Sequence, residues 1–125
     1  MIKYIDRKKD KKREAILNSA LMLFSEKGFQ KTKVSEIARS ASVADGTVYL
    51  YYKNKDVLFM AVFNNLIFSK LIDLKAMIEP IEDELERLFT FFQLHTDWCL
   101  HNPQIARFIV LELRQSFEFF DKYPD

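Results

Sequence analysis

Only two glycines, Gly28 and Gly46, and three prolines punctuate this 125-residue chain. A sheet of several strands needs a turn every few residues, and turns draw on Gly, Pro, Asn and Asp for their backbone conformations. The punctuation is too sparse for hairpins, while apolar residues recur three and four apart over long stretches. Both features predict an all-α fold.

From Lys8 to Lys27, Ile16, Leu17, Ala20, Leu21, Leu23 and Phe24 form one stripe of an amphipathic helix. Gly28 is placed to end it in the left-handed conformation, with Phe29 folding back on the last turn. A second, short helix is expected after Thr32, whose hydroxyl is placed to cap it, and it buries Val34, Ile37 and Ala38. Ser40 to Val43 make a small-residue turn, and residues 44–52 make a third helix with Val48 inward. Two short helices across a tight turn spell helix-turn-helix.

Asn54 is a suitable N-cap for a long fourth helix from Lys55 to about Ile78, with Phe59, Phe63, Ile67, Leu71, Leu74 and Ile78 along one stripe. Glu79-Pro80 ends it. A fifth helix follows the acidic residues Glu82, Asp83, Glu84 and Glu86 and runs to about Leu100. Asn102 as cap and Pro103 at the first position start a sixth.

Charge divides the chain in two. Residues 1–56 carry 13 Lys and Arg against 7 Asp and Glu, a balance of +6, and residues 57–125 carry 6 against 11, a balance of −5. The basic half suits phosphate, and the acidic half, with 10 of the 12 phenylalanines, suits a helical bundle or an apolar pocket. The single cysteine, Cys99, excludes an intramolecular disulfide. The start lacks the organisation of a secretory signal, and Asn64, Asn65, Ser69, Lys70, Asp73 and Lys75 interrupt the most apolar stretch. A cytoplasmic location with no membrane partner is the expectation.

Residues 13–58 resemble the DNA-binding domain of the TetR family of transcriptional repressors. The residues carrying the likeness are Ala20, Phe24 and Gly28-Phe29, then Thr32-Lys33-Val34-Ser35-Glu36-Ile37-Ala38, then residues 43–52 (VADGTVYLYY), closed by residues 53–58 (KNKDVL). The resemblance implies double-stranded operator DNA as partner and a homodimer in the complete protein. Its DNA-contacting positions carry over to Lys33, Ala44, Asp45, Gly46, Thr47, Tyr49, Leu50, Tyr51 and Lys55. Thr47 would reach base edges or phosphate, the Tyr49 and Tyr51 hydroxyls would donate to phosphate, and Lys33 and Lys55 would flank them as cations. Asp45 stands where a lysine or another polar donor is common, Lys33 where Ser or Thr is common, and Tyr52 where Phe is usual. A carboxylate at position 45 repels phosphate but can accept from cytosine N4.

Each of these residues also has a plainer reading. Tyrosines on an isolated short helix are core or surface aromatics, and Tyr52, matching a Phe, reads as core. The basic run from Arg7 to Arg13 is a solvated tail in most chains, but beside a helix-turn-helix it can reach phosphate or the minor groove. His95, Cys99 and His101 have the spacing of partial metal ligation, yet core packing of Cys99 and capping by His101 explain them equally, so no metal and no cofactor is assigned. Paired carboxylates, a nucleophile elbow and a glycine-rich phosphate loop are all missing from the sequence, and an enzyme is not expected.

In the family the second half binds a small molecule. Leu111-Glu112-Leu113-Arg114-Gln115-Ser116, together with residues 44–51, looks like the branch that represses fatty-acid degradation genes and responds to long-chain acyl-CoA. On that reading Phe63, Phe89, Phe92, Trp98 and Phe108 line a pocket for a hydrophobic effector, and Arg107 or Arg114 meets its phosphate. Core packing is the ordinary use of the same aromatics. The expected domains are residues 1–53, a helix-turn-helix with a basic arm, and residues 54–125, a linker helix opening a ligand-binding domain. Since the family continues for several more helices, this second domain is expected to be incomplete at its C-terminus. A TetR-like sensor of drugs, or a helical module binding acidic proteins, is the alternative.

Overall fold

The computed structural model describes residues 2–122, and side chains for residues 10–112. Six helices follow in order: α1 (Ile2–Lys27), α2 (Val34–Ser40), α3 (Asp45–Tyr51), α4 (Lys55–Ile78), α5 (Glu84–His101) and α6 (Pro103–Lys122). The described residues contain no strand. Chain contacts gather into two compact units, Met1–Asn64 and Asn65–Asp125.

The first unit is built on an aromatic triangle. Phe24 on α1 lies 5.7 Å from Phe29 and 5.7 Å from Phe59 on α4, and Phe29 and Phe59 are 5.1 Å apart, edge to face. Phe63 stacks on Phe59 at 6.3 Å. Ile16, Ala20, Ile37, Ala38, Val48, Leu58 and Val62 complete the buried set. The stripes predicted for α1 to α3 therefore face one another. The unit extends to Asn64 because the first turns of α4 supply Leu58, Phe59, Val62 and Phe63 to this core.

Gly28 has φ +82° and its N–H donates to the Phe24 carbonyl at 2.9 Å, closing α1 as the sequence predicts. Thr32 behaves differently from the expectation. It is fully buried and its hydroxyl donates back to the Gly28 carbonyl at 2.8 Å, so it ties the α1–α2 loop to α1. Lys33 takes the N-cap position of α2 instead, and the Glu36 carboxylate accepts from its backbone N–H. The turn between α2 and α3 contains Ser42 at φ +58°, the only non-glycine residue with positive φ among the described residues.

Asn54 caps α4 as predicted, its Oδ1 accepting from the Val57 N–H at 2.8 Å, and Asp83 does the same for α5 through the Glu86 N–H. Asn102 does not cap α6 with its side chain. Its amide donates to the Trp98 carbonyl at 2.9 Å and closes α5, leaving its own carbonyl to accept from Ala106.

In the second unit α5 packs on α6, with Leu74 and Phe108 buried. Phe68, Leu71, Ile72, Met77, Leu85, Leu88, Phe89, Phe92, Leu100, Val110 and Leu111 remain exposed. Leu71 was expected on the inward stripe of α4. The three helices of this unit have too few facing surfaces to cover every apolar position on them. By length and composition α4 could cross a membrane, but its first turns form the core of the first unit and Asn64, Asn65, Lys70 and Asp73 interrupt its remainder.

Candidate nucleic-acid interface and the second-unit side chains

Helix α3 has two unlike faces. Val48 is buried and Tyr52, just past the helix end, joins it in the core. On the other side Ala44, Asp45, Gly46, Tyr49 and Leu50 are exposed, Tyr49 by 53% and Leu50 by 85%. Thr47 and Tyr51 are half-buried at the border. A leucine this exposed on a helix whose opposite face is fully packed presents an apolar contact surface that the fold itself does not use. At Gly46 a methyl group would meet no atom within 4 Å, so this part of the helix surface is open.

The cations around this face are held to different degrees. Arg13, on α1, lies over the Tyr51 ring with its Cζ 5.8 Å from the centroid, linking the basic arm to α3. The sequence places Arg13 in a basic run, but periodicity gives no sign of this contact. Lys33 is exposed. Lys55, expected as a flanking cation, has an internal role: its Nζ donates to the Thr32 carbonyl at 3.0 Å and sits 4.2 Å from the Phe29 ring centroid. One N–H is used there, and an ammonium carries three. Burial pushes the Tyr52 phenol above its ordinary value, with Arg13 acting in the opposite direction, so this hydroxyl stays neutral at pH 7.

The residues expected to line an effector pocket do not share one environment. Phe63 belongs to the core of the first unit, stacked on Phe59. In the second unit Phe89 and Phe92 are exposed, Phe108 is buried, Trp98 is half-buried and Arg107 is exposed. The Arg114 side chain lies outside the described residues. A groove of about 290 Å³ in this unit is lined by Ile78, Glu84, Arg87, Leu88 and Phe91, none of them among the expected residues.

Among the described residues no three His, Cys, Asp or Glu side chains form a set able to hold a metal ion. His101 caps its own helix, with Nδ1 2.7 Å from the Asp97 carbonyl. Cys99 is half-buried, with its sulfur 3.9 Å from His95 Nε2.

Three helices around one aromatic core, with a two-faced α3 and a basic α1, define a helix-turn-helix regulator domain. Residues 16–62 match the model of the bacterial regulatory proteins of the tetR family, and the chain belongs to that family. It is 32% identical over 101 residues to the fatty acid metabolism regulator protein of Bacillus subtilis, covering 81% of this chain and 52% of that protein. The solved structure of the fatty acid degradation regulator FadR from Bacillus halodurans superposes with a TM-score of 0.73 at 26% identity, over 79% of this chain and 52% of that one. FadR from Bacillus subtilis, solved in complex with stearoyl-CoA, gives 0.71 at 29% identity, over 80% of this chain and 53% of that one. The chain thus spans about half the length of these relatives.

Proposed function

We propose that the chain is the operator-binding and effector-domain-opening part of a TetR-type repressor, in which the exposed face of α3 enters the major groove. The observation that carries this reading is the division of α3 into a packed face and an open face bearing Gly46, Tyr49 and Leu50. Tyr49 and Tyr51 donate to phosphates, Thr47 and Asp45 address base edges, and Lys33 and Lys55 add positive charge from either side. Residues 1–53, with Lys55 at the head of α4, carry the DNA-facing groups, and α4 conveys the state of the effector domain to them. In the complete cytoplasmic protein two copies place their α3 helices in successive grooves, about 34 Å apart.

The effector is a long-chain acyl-CoA. Support comes from the fatty acid metabolism regulator of Bacillus subtilis and the stearoyl-CoA complex of its FadR, together with the aromatic content of residues 57–125. A ligand can shift the regulator only through unequal affinity for its DNA-binding and released states.

The test is a fluorescence titration of the complete regulator with duplexes selected from random DNA, at several salt concentrations. Affinity should fall steeply with salt and exceed that for scrambled duplex by at least a hundredfold. Tyr49→Phe should weaken both duplexes alike, and Thr47→Ala should narrow the gap between them. Adding stearoyl-CoA should release the selected duplex. Release by a cationic dye but not by stearoyl-CoA would replace the acyl-CoA reading with a drug-sensing one, and equal binding to all duplexes would remove the repressor reading.

A further inference from the structure

Within the second unit, α4 and α5 bring together an amine, an imidazole and an indole. Lys70 Nζ lies 2.9 Å from His95 Nδ1 and 3.7 Å from the centroid of the Trp98 ring. The His95 ring is itself positioned. It stacks parallel to Phe91 at 6.2 Å with an interplanar angle of 2°, and its Nε2 faces the Cys99 sulfur at 3.9 Å. Lys70 is half-buried, so the amine is held in place while solvent-borne molecules still reach it.

A protonated lysine can only donate, so at rest the ammonium donates to an unprotonated Nδ1 and the ring carries its hydrogen on Nε2. This is the tautomer able to take a proton from the amine. Burial holds the Lys70 ammonium below its ordinary lysine value, with Cys99 acting in the opposite direction, so deprotonation is easier than at a free lysine. An amine beside a correctly placed base, against an apolar ring face, is the arrangement of an activated nucleophile.

We propose that Lys70 is a covalent acylation site, with His95 as its general base and an acyl thioester as the acyl donor. Proton transfer from the ammonium to His95 Nδ1 frees the lone pair, which attacks the thioester carbonyl carbon. The tetrahedral adduct collapses with cleavage of the C–S bond, the departing thiolate takes the second amine proton, and Lys70 is left as an amide with a free thiol as by-product. The donor class follows from the leaving group: a thiolate, whose conjugate thiol has a pKa of about 8.5, departs without being protonated first, whereas an alkoxide or an amide nitrogen is a far poorer leaving group.

The inference goes beyond the effector reading and does not depend on it, because a short acyl donor tests it. The 125-residue chain is incubated with acetyl-CoA, and acetylation of each lysine is followed by peptide mass spectrometry. Lys70 should react about tenfold faster than the exposed Lys33, Lys53 and Lys75 in the same molecules. His95→Gln should bring Lys70 down to their rate and leave theirs unchanged, and Lys70→Arg should remove the fast-reacting position. A Lys70 rate in the wild-type chain no higher than that of Lys75 would overturn the proposal, and this comparison requires no variant to fold. A fast rate that survives in folded His95→Gln would equally overturn the base assignment.

Discussion

Lys27 Nζ, in the last turn of α1, holds both carboxylate oxygens of Glu36 at 2.9 Å and so ties the end of α1 to the first turn of α2. The Glu36 carboxylate also accepts from the Lys33 N–H at the head of α2. The lysine hydrogen bond first, and then the backbone donor, keep the Glu36 carboxyl below its ordinary value of 4.5. A group whose folded pKa is depressed stabilises the fold above its unfolded pKa, and that contribution disappears as pH falls through the folded value. Glu36→Gln should therefore lower the urea midpoint at pH 7, and the gap from wild type should close as pH drops through and below 4.5. Because the pair is exposed, added salt should narrow the gap as well. A gap that persists at pH 3 would show that shape, not charge, is what Glu36 contributes.

Ser42 sits at φ +58° in the turn between α2 and α3, where an L side chain is crowded against its own backbone. That crowding costs about 1–2 kcal/mol, and glycine is free of it but loses more entropy on folding. Ser42→Gly should raise stability by about 0.5–1 kcal/mol, read as a higher urea midpoint with an unchanged slope. A lower midpoint would mean that the serine side chain contributes more than the strain removes.

The residues that were legible in the sequence are those whose role is local or periodic. Ile16, Ala20 and Phe24, then Ile37, Ala38 and Val48, are buried where the three-and-four spacing places them, and Gly28 and Asn54 end and begin helices as their chemistry dictates. Thr32 and Asn102 misled because a hydroxyl or amide beside a helix can serve the helix ahead or the segment behind, and only packing decides which carbonyl or amide is nearer. Phe63 is buried on the inner stripe of α4, stacked on Phe59 one turn earlier on the same helix, but the spacing cannot say that this part of the stripe joins the core of the first unit. Lys55 reads in the sequence as a flanking cation, and nothing there announces the hydrogen bond that its Nζ also donates to the Thr32 carbonyl twenty-three residues away. The Lys70–His95 contact was hidden in the same way, across the helix break at Glu79-Pro80.

Gly46 separates folding from DNA binding more cleanly than any other position on α3. A methyl group there would meet no protein atom within 4 Å, and φ is not positive, so alanine fits the fold without strain. Alanine also loses less backbone entropy than glycine in a helix, which favours the variant by about 0.5–1 kcal/mol. In the proposed interface the same open side is where the nucleic acid comes close, and a methyl group would hold the helix away from the groove. Gly46→Ala should therefore unfold at a higher urea concentration than wild type while binding the selected duplex at least about tenfold more weakly, a loss of about 1.4 kcal/mol. Paired unfolding curves and titrations on one preparation give both quantities. A variant that is more stable and binds as tightly as wild type would place the DNA on some other surface, because nothing in the protein's own packing could hide the added methyl group from a helix seated in the groove.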